Sequence, residues 1–150
     1  MEPIVSTEGI STKQLIIGGG VLVVVIGISI FFMGSTGLSG QRDQITANVE
    51  SIRAAQQEYF SKHKEYIGAT WAPRDWVEVN PEFVDWTPSE GFRELRWSPD
   101  SNTAAAAYRV SVHKSGFTVE ARSDLDGDGH QANITATESE PATIKDTEIY

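Results

Sequence analysis

Nineteen consecutive residues, Leu15 to Met33, carry no charge and read LIIGGGVLVVVIGISIFFM. At about 1.5 Å per residue, a helix of that length spans roughly 28 Å, close to the hydrocarbon thickness of a bilayer. A helix satisfies its own backbone donors and acceptors, as lipid requires, so the run predicts a single membrane-spanning helix. The alternative is a buried helix of a soluble domain. Gly18, Gly19 and Gly20 argue against it, since each would weaken such a helix by roughly 1 kcal/mol. A cleaved secretory signal has a shorter apolar region with basic residues before it. Here the head, residues 1–14, carries Glu2, Glu8 and only Lys13.

Past a small-residue stretch, Gly34 to Gly40, the apolar positions change period. Ile45, Val49, Ile52, Gln56, Tyr59 and His63 advance by steps of four and three, which predicts an amphipathic helix from about Arg42 to Lys64 with Ile45, Val49, Ile52 and Tyr59 on one face and Ala55 beside them. Gln44, Glu50, Arg53, Gln57 and Lys64 fall on the other side. Residues 67–99 read as irregular, with Pro73, Pro81, Pro88 and Pro99 spaced among Trp71, Trp76, Trp86 and Trp97. A two-residue period then predicts strands at Phe92–Trp97, Tyr108–Val112, Phe117–Ala121, Asn133–Thr137 and Thr143–Ile149. Lys114-Ser115-Gly116 is the expected hairpin turn between the second and third of these.

The chain therefore divides into a head or leader (1–14), a transmembrane helix (15–33) and a body (34–150). The body is expected to hold a helix near 42–64, loops over 67–99 and a sheet over about 92–149. The fold class is α+β: one N-terminal transmembrane helix, extended by an amphipathic helix packed on a small antiparallel sheet.

Charge narrows the function. Of 21 carboxylates and 12 bases, only Glu2, Glu8 and Lys13 lie in the head, which leaves the body at 19 against 11. A body with net charge −8 is a poor partner for nucleic acid or anionic lipid, and suits an exported surface domain or one that collects cations. No cysteine is present, so neither disulfides nor thiol chemistry enter. No nucleophile elbow, phosphate loop or Ser/His/Asp set is present, and His63, His113 and His130 lack metal-ligand spacing. The expectation is a protein that is not an enzyme.

The order of elements, with the phrase Ile52 to Tyr66 (IRAAQQEYFSKHKEY) and the motif Asp124-Leu-Asp-Gly-Asp-Gly129, resembles the type IV pilins and pseudopilins of Gram-negative bacteria, the deltaproteobacterial kind in particular. The resemblance covers roughly residues 15–137. In that family a prepilin peptidase cuts after a glycine about fifty residues before the Tyr/Phe-Phe pair. With Gly9 as that glycine, Ile10 is the first mature residue and Tyr59 the fiftieth. The family's Gly-Phe-Thr-Leu-Ile-Glu appears as Gly9-Ile-Ser-Thr-Lys-Gln14, so the usual fifth-position glutamate is the neutral Gln14. Lys13 adds a charge where the family is apolar, and Phe31 stands where a helix-kinking proline is common.

The resemblance implies a structural role: a subunit or accessory of a type IV pilus or secretion pseudopilus. The chain would sit in the bacterial inner membrane by a single pass, its body periplasmic or carried into an extracellular filament. Its partners would be copies of itself or other pilin-like subunits, joined through the N-terminal helix, and membrane lipid. Gln14, Gly18, Gly19, Gly20 and Gly27 are the candidate assembly positions, although no glycine pair has the four-residue spacing of the dimer motif. The alternative is a non-polymerising, membrane-tethered binding module.

Asp124, Asp126, Asp128 and Gly129 also match the opening of a calcium loop, in which alternate carboxylates converge on a hard cation. The twelfth position is Thr135 rather than glutamate. The candidate ligand set is Asp124, Asp126 and Asp128, with His130 beside them and Glu138 the nearest bidentate carboxylate. A bound Ca2+ would be structural. The competing reading is a turn whose aspartates cap backbone amides. The tryptophans are expected mainly in the core, against the alternative of an exposed patch.

Overall fold

A computed structural model describes residues 37–73 and 83–145. The chain divides between Ser35 and Thr36, and everything described belongs to the second unit. The apolar run 15–33, Gly9, Ile10, Gln14, Gly18, Gly19, Gly20 and Gly27 lie outside the described residues, as do Trp76 and the end of the expected last strand. Among the described residues no helix is long and apolar enough to cross a membrane.

Helix α1 spans Leu38–His63, starting four residues before its expected boundary. Gly37 is extended and its carbonyl accepts from the amides of Gly40 and Gln41. Small residues are tolerated there because first-turn amides lack intrahelical partners in any case. At the other end Lys64 turns left-handed (φ 63°) and donates its amide to Phe60, while Lys62 and His63 face the negative end of the helix dipole. Ile45, Val49 and Ile52 are buried, as their spacing predicts, whereas Tyr59 of the same face is half-buried and Gln56 is buried in addition. Each apolar member of the stripe contributes about 1.5–3 kcal/mol of burial, so α1 depends on its cover.

That cover is an antiparallel sheet in the order β1-β4-β5-β6-β7: β1 Ala69–Ala72, β4 Ala107–His113, β5 Gly116–Ser123, β6 Ala132–Thr137 and β7 Thr143–Ile144. Two short strands, β2 (Val84–Asp85) and β3 (Thr103–Ala104), form a second sheet. Register follows the two-residue period: Val110 opposes Val119 and Ala121 opposes Ile134, all buried, while Arg109 opposes Glu120 on the outer face. The hairpin loop is Lys114-Ser115, and Gly116 (φ +124°) begins β5 opposite His113.

One expected strand is a helix. Residues Glu90–Leu95 form α2, where alternation over Phe92–Trp97 predicted β structure. Alternation would put Phe92 on the opposite face from Leu95 and Trp97; a helical turn puts Phe92 and Leu95 on one side, and both are buried. Gly91 makes the packing possible: a Cβ there would lie 2.1 Å from the Gly68 carbonyl oxygen and 2.7 Å from Ala69 Cα. Arg96 (φ 55°) ends the helix, and the Trp97 amide donates to the Phe92 carbonyl.

The core is aromatic between α1 and the sheet. Trp86 and Trp97 are buried as expected, with Phe92 and Tyr108, at centroid separations of 5.1–6.1 Å. Trp97 Nε1 donates to Ser51, and Asn48 donates to the Tyr108 hydroxyl at 2.9 Å. Burial pushes the Tyr108 phenol well above its ordinary pKa, and the Asn48 bond lowers it in part.

Candidate functional site

The loop joining β5 to β6 carries the aspartate motif. Buried Leu125 anchors it, and Gly127 (φ 74°) and Gly129 (φ 87°) adopt turns that a side chain would strain. Ligand oxygens of Asp124, Asp126 and Asp128 lie within 4.8 Å of one another; Asp124 is half-buried and the other two are exposed. The same carboxylates cap amides. Asp124 accepts from Gly127 and Gly129, Asp126 from Asp128, and Asp128 from His130 at 2.7 Å. The loop is thus closed by protein hydrogen bonds, and its three carboxylates are placed where a hard cation would relieve their repulsion.

The other two members of the expected ligand set stand differently. The recorded contact of His130 with the cluster is its backbone amide. Glu138 follows Thr137, which pairs with Thr118, whereas the aspartate loop leaves from the Ser123–Ala132 pair. The six residues of β6 separate the two ends by about 20 Å of strand. Glu138 is therefore removed from the candidate metal set, leaving three aspartates. The spacing misled because ten residues of sequence here cross the sheet instead of circling one point.

Glu138 belongs to the corner where α1 ends. The Glu138 carboxylate beside the Tyr66 hydroxyl, together with burial, pushes the phenol up to about 12. Its oxygen also fills the space a Cβ on Gly116 would need. Tyr66 stacks on Phe60 and leans on Phe117. A row of α1 side chains holds the same segment. Arg53 Nε donates to the Thr137 carbonyl at 2.7 Å and Nη2 to that of Glu138 at 3.0 Å; Gln57 reaches the latter at 3.3 Å. The Glu50 carboxylate accepts the Ala142 amide. The spacing expects Glu50, Arg53 and Gln57 on the side away from the stripe; their steps of three and four mark one edge of the helix, but nothing in them names the turn they bind.

Two further features escape the sequence. Gln56, fully buried, donates to the Ile67 carbonyl at 2.6 Å and accepts its amide at 3.0 Å. It replaces the ladder partners that the chain lacks where it leaves α1. On the outer face, a register shift between Ala69 and Ala72 places Trp71 beside Arg109 and Arg122, whose guanidinium carbons lie 4.7 and 5.2 Å from the ring centroid. Glu120 bridges the two arginines.

A groove of about 590 Å³ runs between the C-terminal half of α1 and α2. Lys62 and Arg96 on its rim are matched by Glu58 and Glu94, and Tyr59 donates to Glu94. Burial and that bond raise the Tyr59 phenol. Mixed charge gives the groove no preference of sign.

Compared with protein-family models, curated proteins and solved structures, the chain matches none.

Proposed function

We propose that the protein is a filament subunit or accessory of the type IV pilus or secretion-pseudopilus kind, held in the bacterial inner membrane by residues 15–33 with its body on the periplasmic side. One observation supports this most: a 26-residue helix begins at Leu38, just after the apolar run, and carries an antiparallel sheet on one face only. That arrangement leaves the opposite edge of the helix, with Asp43, Ala54 and Glu58 exposed, for neighbouring subunits. The role is structural rather than catalytic. Copies would associate mainly through their apolar N-terminal segments, where Gln14 replaces a charged pair with at most a neutral hydrogen bond.

The test is co-assembly. Sheared surface filaments or a detergent-extracted pseudopilus should contain this chain, and Gly18→Leu with Gly19→Leu should reduce its share there without lowering its level in the membrane. A chain found only as a membrane monomer would contradict the reading. The second reading, a tethered module that does not polymerise, draws on the converging Asp124, Asp126 and Asp128 carboxylates. In either reading a structural Ca2+ in that loop would fix the β5–β6 connection.

A further inference from the structure

The segment 138–145 stands apart in how it is held. None of its side chains is buried; Ala142 is half-buried and the others are exposed. Its fastenings are polar: the Arg53, Gln57 and Glu50 bonds from α1, and a ladder of two residues extended by the Lys145 amide to Asn133. Neighbouring β5 buries Phe117, Val119, Ala121 and Ser123. Opening free energy falls where apolar burial is low and hydrogen bonds are exposed, so 138–145 has less to lose on leaving than β5.

We infer that 138–145 is a strap that releases as a unit while the rest of the body stays folded, and that the β6 edge it uncovers takes the same segment from a second copy of this chain. The occupant follows from complementarity. The edge of β6 and the donors of Arg53 and Gln57 already fit this segment in sequence and register, and a second copy carries it unchanged. Exchange of an identical element is a low-cost route to dimers, and an open sheet edge favours it. The inference does not depend on the filament reading.

The chain has no cysteine, so introduced thiols report pairing. Thr135 and Thr143 are direct partners across β6 and β7. Full-length chain carrying Thr135→Cys, mixed with full-length Thr143→Cys under mild oxidation, should yield heterodimer at least about tenfold above a Thr118→Cys and Thr143→Cys mixture. Equal yields would overturn the exchange. Release itself is read by hydrogen exchange at the Ala142 and Lys145 amides, which should exceed that of β5 and rise at least about tenfold further in Arg53→Met, the factor expected for one lost charge-assisted bond. Gln57→Ala, at an exposed position, gives a smaller rise and serves if Arg53→Met does not fold. Exchange as slow as in β5, or indifferent to both variants, would overturn the strap.

Discussion

Gly91→Ala sets two physical effects against each other, and the structure decides the sign. Replacing a helical glycine with alanine ordinarily stabilises by about 1 kcal/mol. Here the new Cβ would lie 2.1 Å from the Gly68 carbonyl oxygen and 2.7 and 2.9 Å from Ala69 Cα and Cβ. These are mostly backbone atoms, which cannot swing away, so α2 must lift from β1. Overpacking of this kind costs about 3 kcal/mol at the upper end of its usual range, leaving a net loss of about 2 kcal/mol. Phe92 and Trp97 move with α2, so the loss should come with a weaker near-ultraviolet circular dichroism signal from the aromatic cluster. Urea titration of the full chain in detergent measures it, and a thermal melt should show a fall in melting temperature of about 4–8 °C. Gly37→Ala is the control, because the nearest atom to its added Cβ is 4.0 Å away. Stability equal to or above that of the parent in Gly91→Ala would refute the close packing of α2 on β1.

Further outcomes follow from the same geometry. Gln56→Leu removes both partners of the half-buried Ile67 amide and carbonyl and should cost about 2–4 kcal/mol in the same titration; a neutral result would mean water or another group serves Ile67. The Tyr66 phenol is raised in the folded state to about 12 from 10.0, so its contribution is complete below pH 10 and lost as pH climbs toward 12. Tyr66→Phe should therefore flatten the alkaline fall in stability over that window, measured by melting temperature against pH. An unchanged slope would detach Tyr66 from Glu138. Millimolar Ca2+ should raise the melting temperature and Asp126→Asn should abolish the rise. If the loop is only an amide-capped turn, Ca2+ has no effect and Asp126→Asn is neutral or stabilising through relief of repulsion.

The sequence was most legible where one period ran uninterrupted. The stripe Ile45–Val49–Ile52 and the alternation Phe117–Val119–Ala121 are buried as their periods require, and Tyr108 and Val110 follow the same rule, while Val112 near the end of its strand is exposed. It was least legible where long-range contact decided. Phe92–Trp97 carries too few residues for a period to win, and α2 forms because Gly91 fits against Gly68 and Ala69. β1 is four residues with a register shift, hidden within a proline- and tryptophan-rich stretch. The aspartate triad was readable because its spacing is local. Spacing puts Glu138 with the aspartates and Glu50, Arg53 and Gln57 on the side away from the stripe, because strand direction and the partner turn are set by topology, which spacing along the chain does not encode.

The most direct test of the filament account is the N-terminal residue of the protein in native membranes, by intact mass and terminal peptide mapping. A processed filament subunit begins at Ile10, cut after Gly9 and N-methylated. A chain that still begins at Met1 or Glu2 would mean an uncleaved signal-anchor, contradict incorporation as a processed pilin-like subunit, and leave the tethered module as the better description.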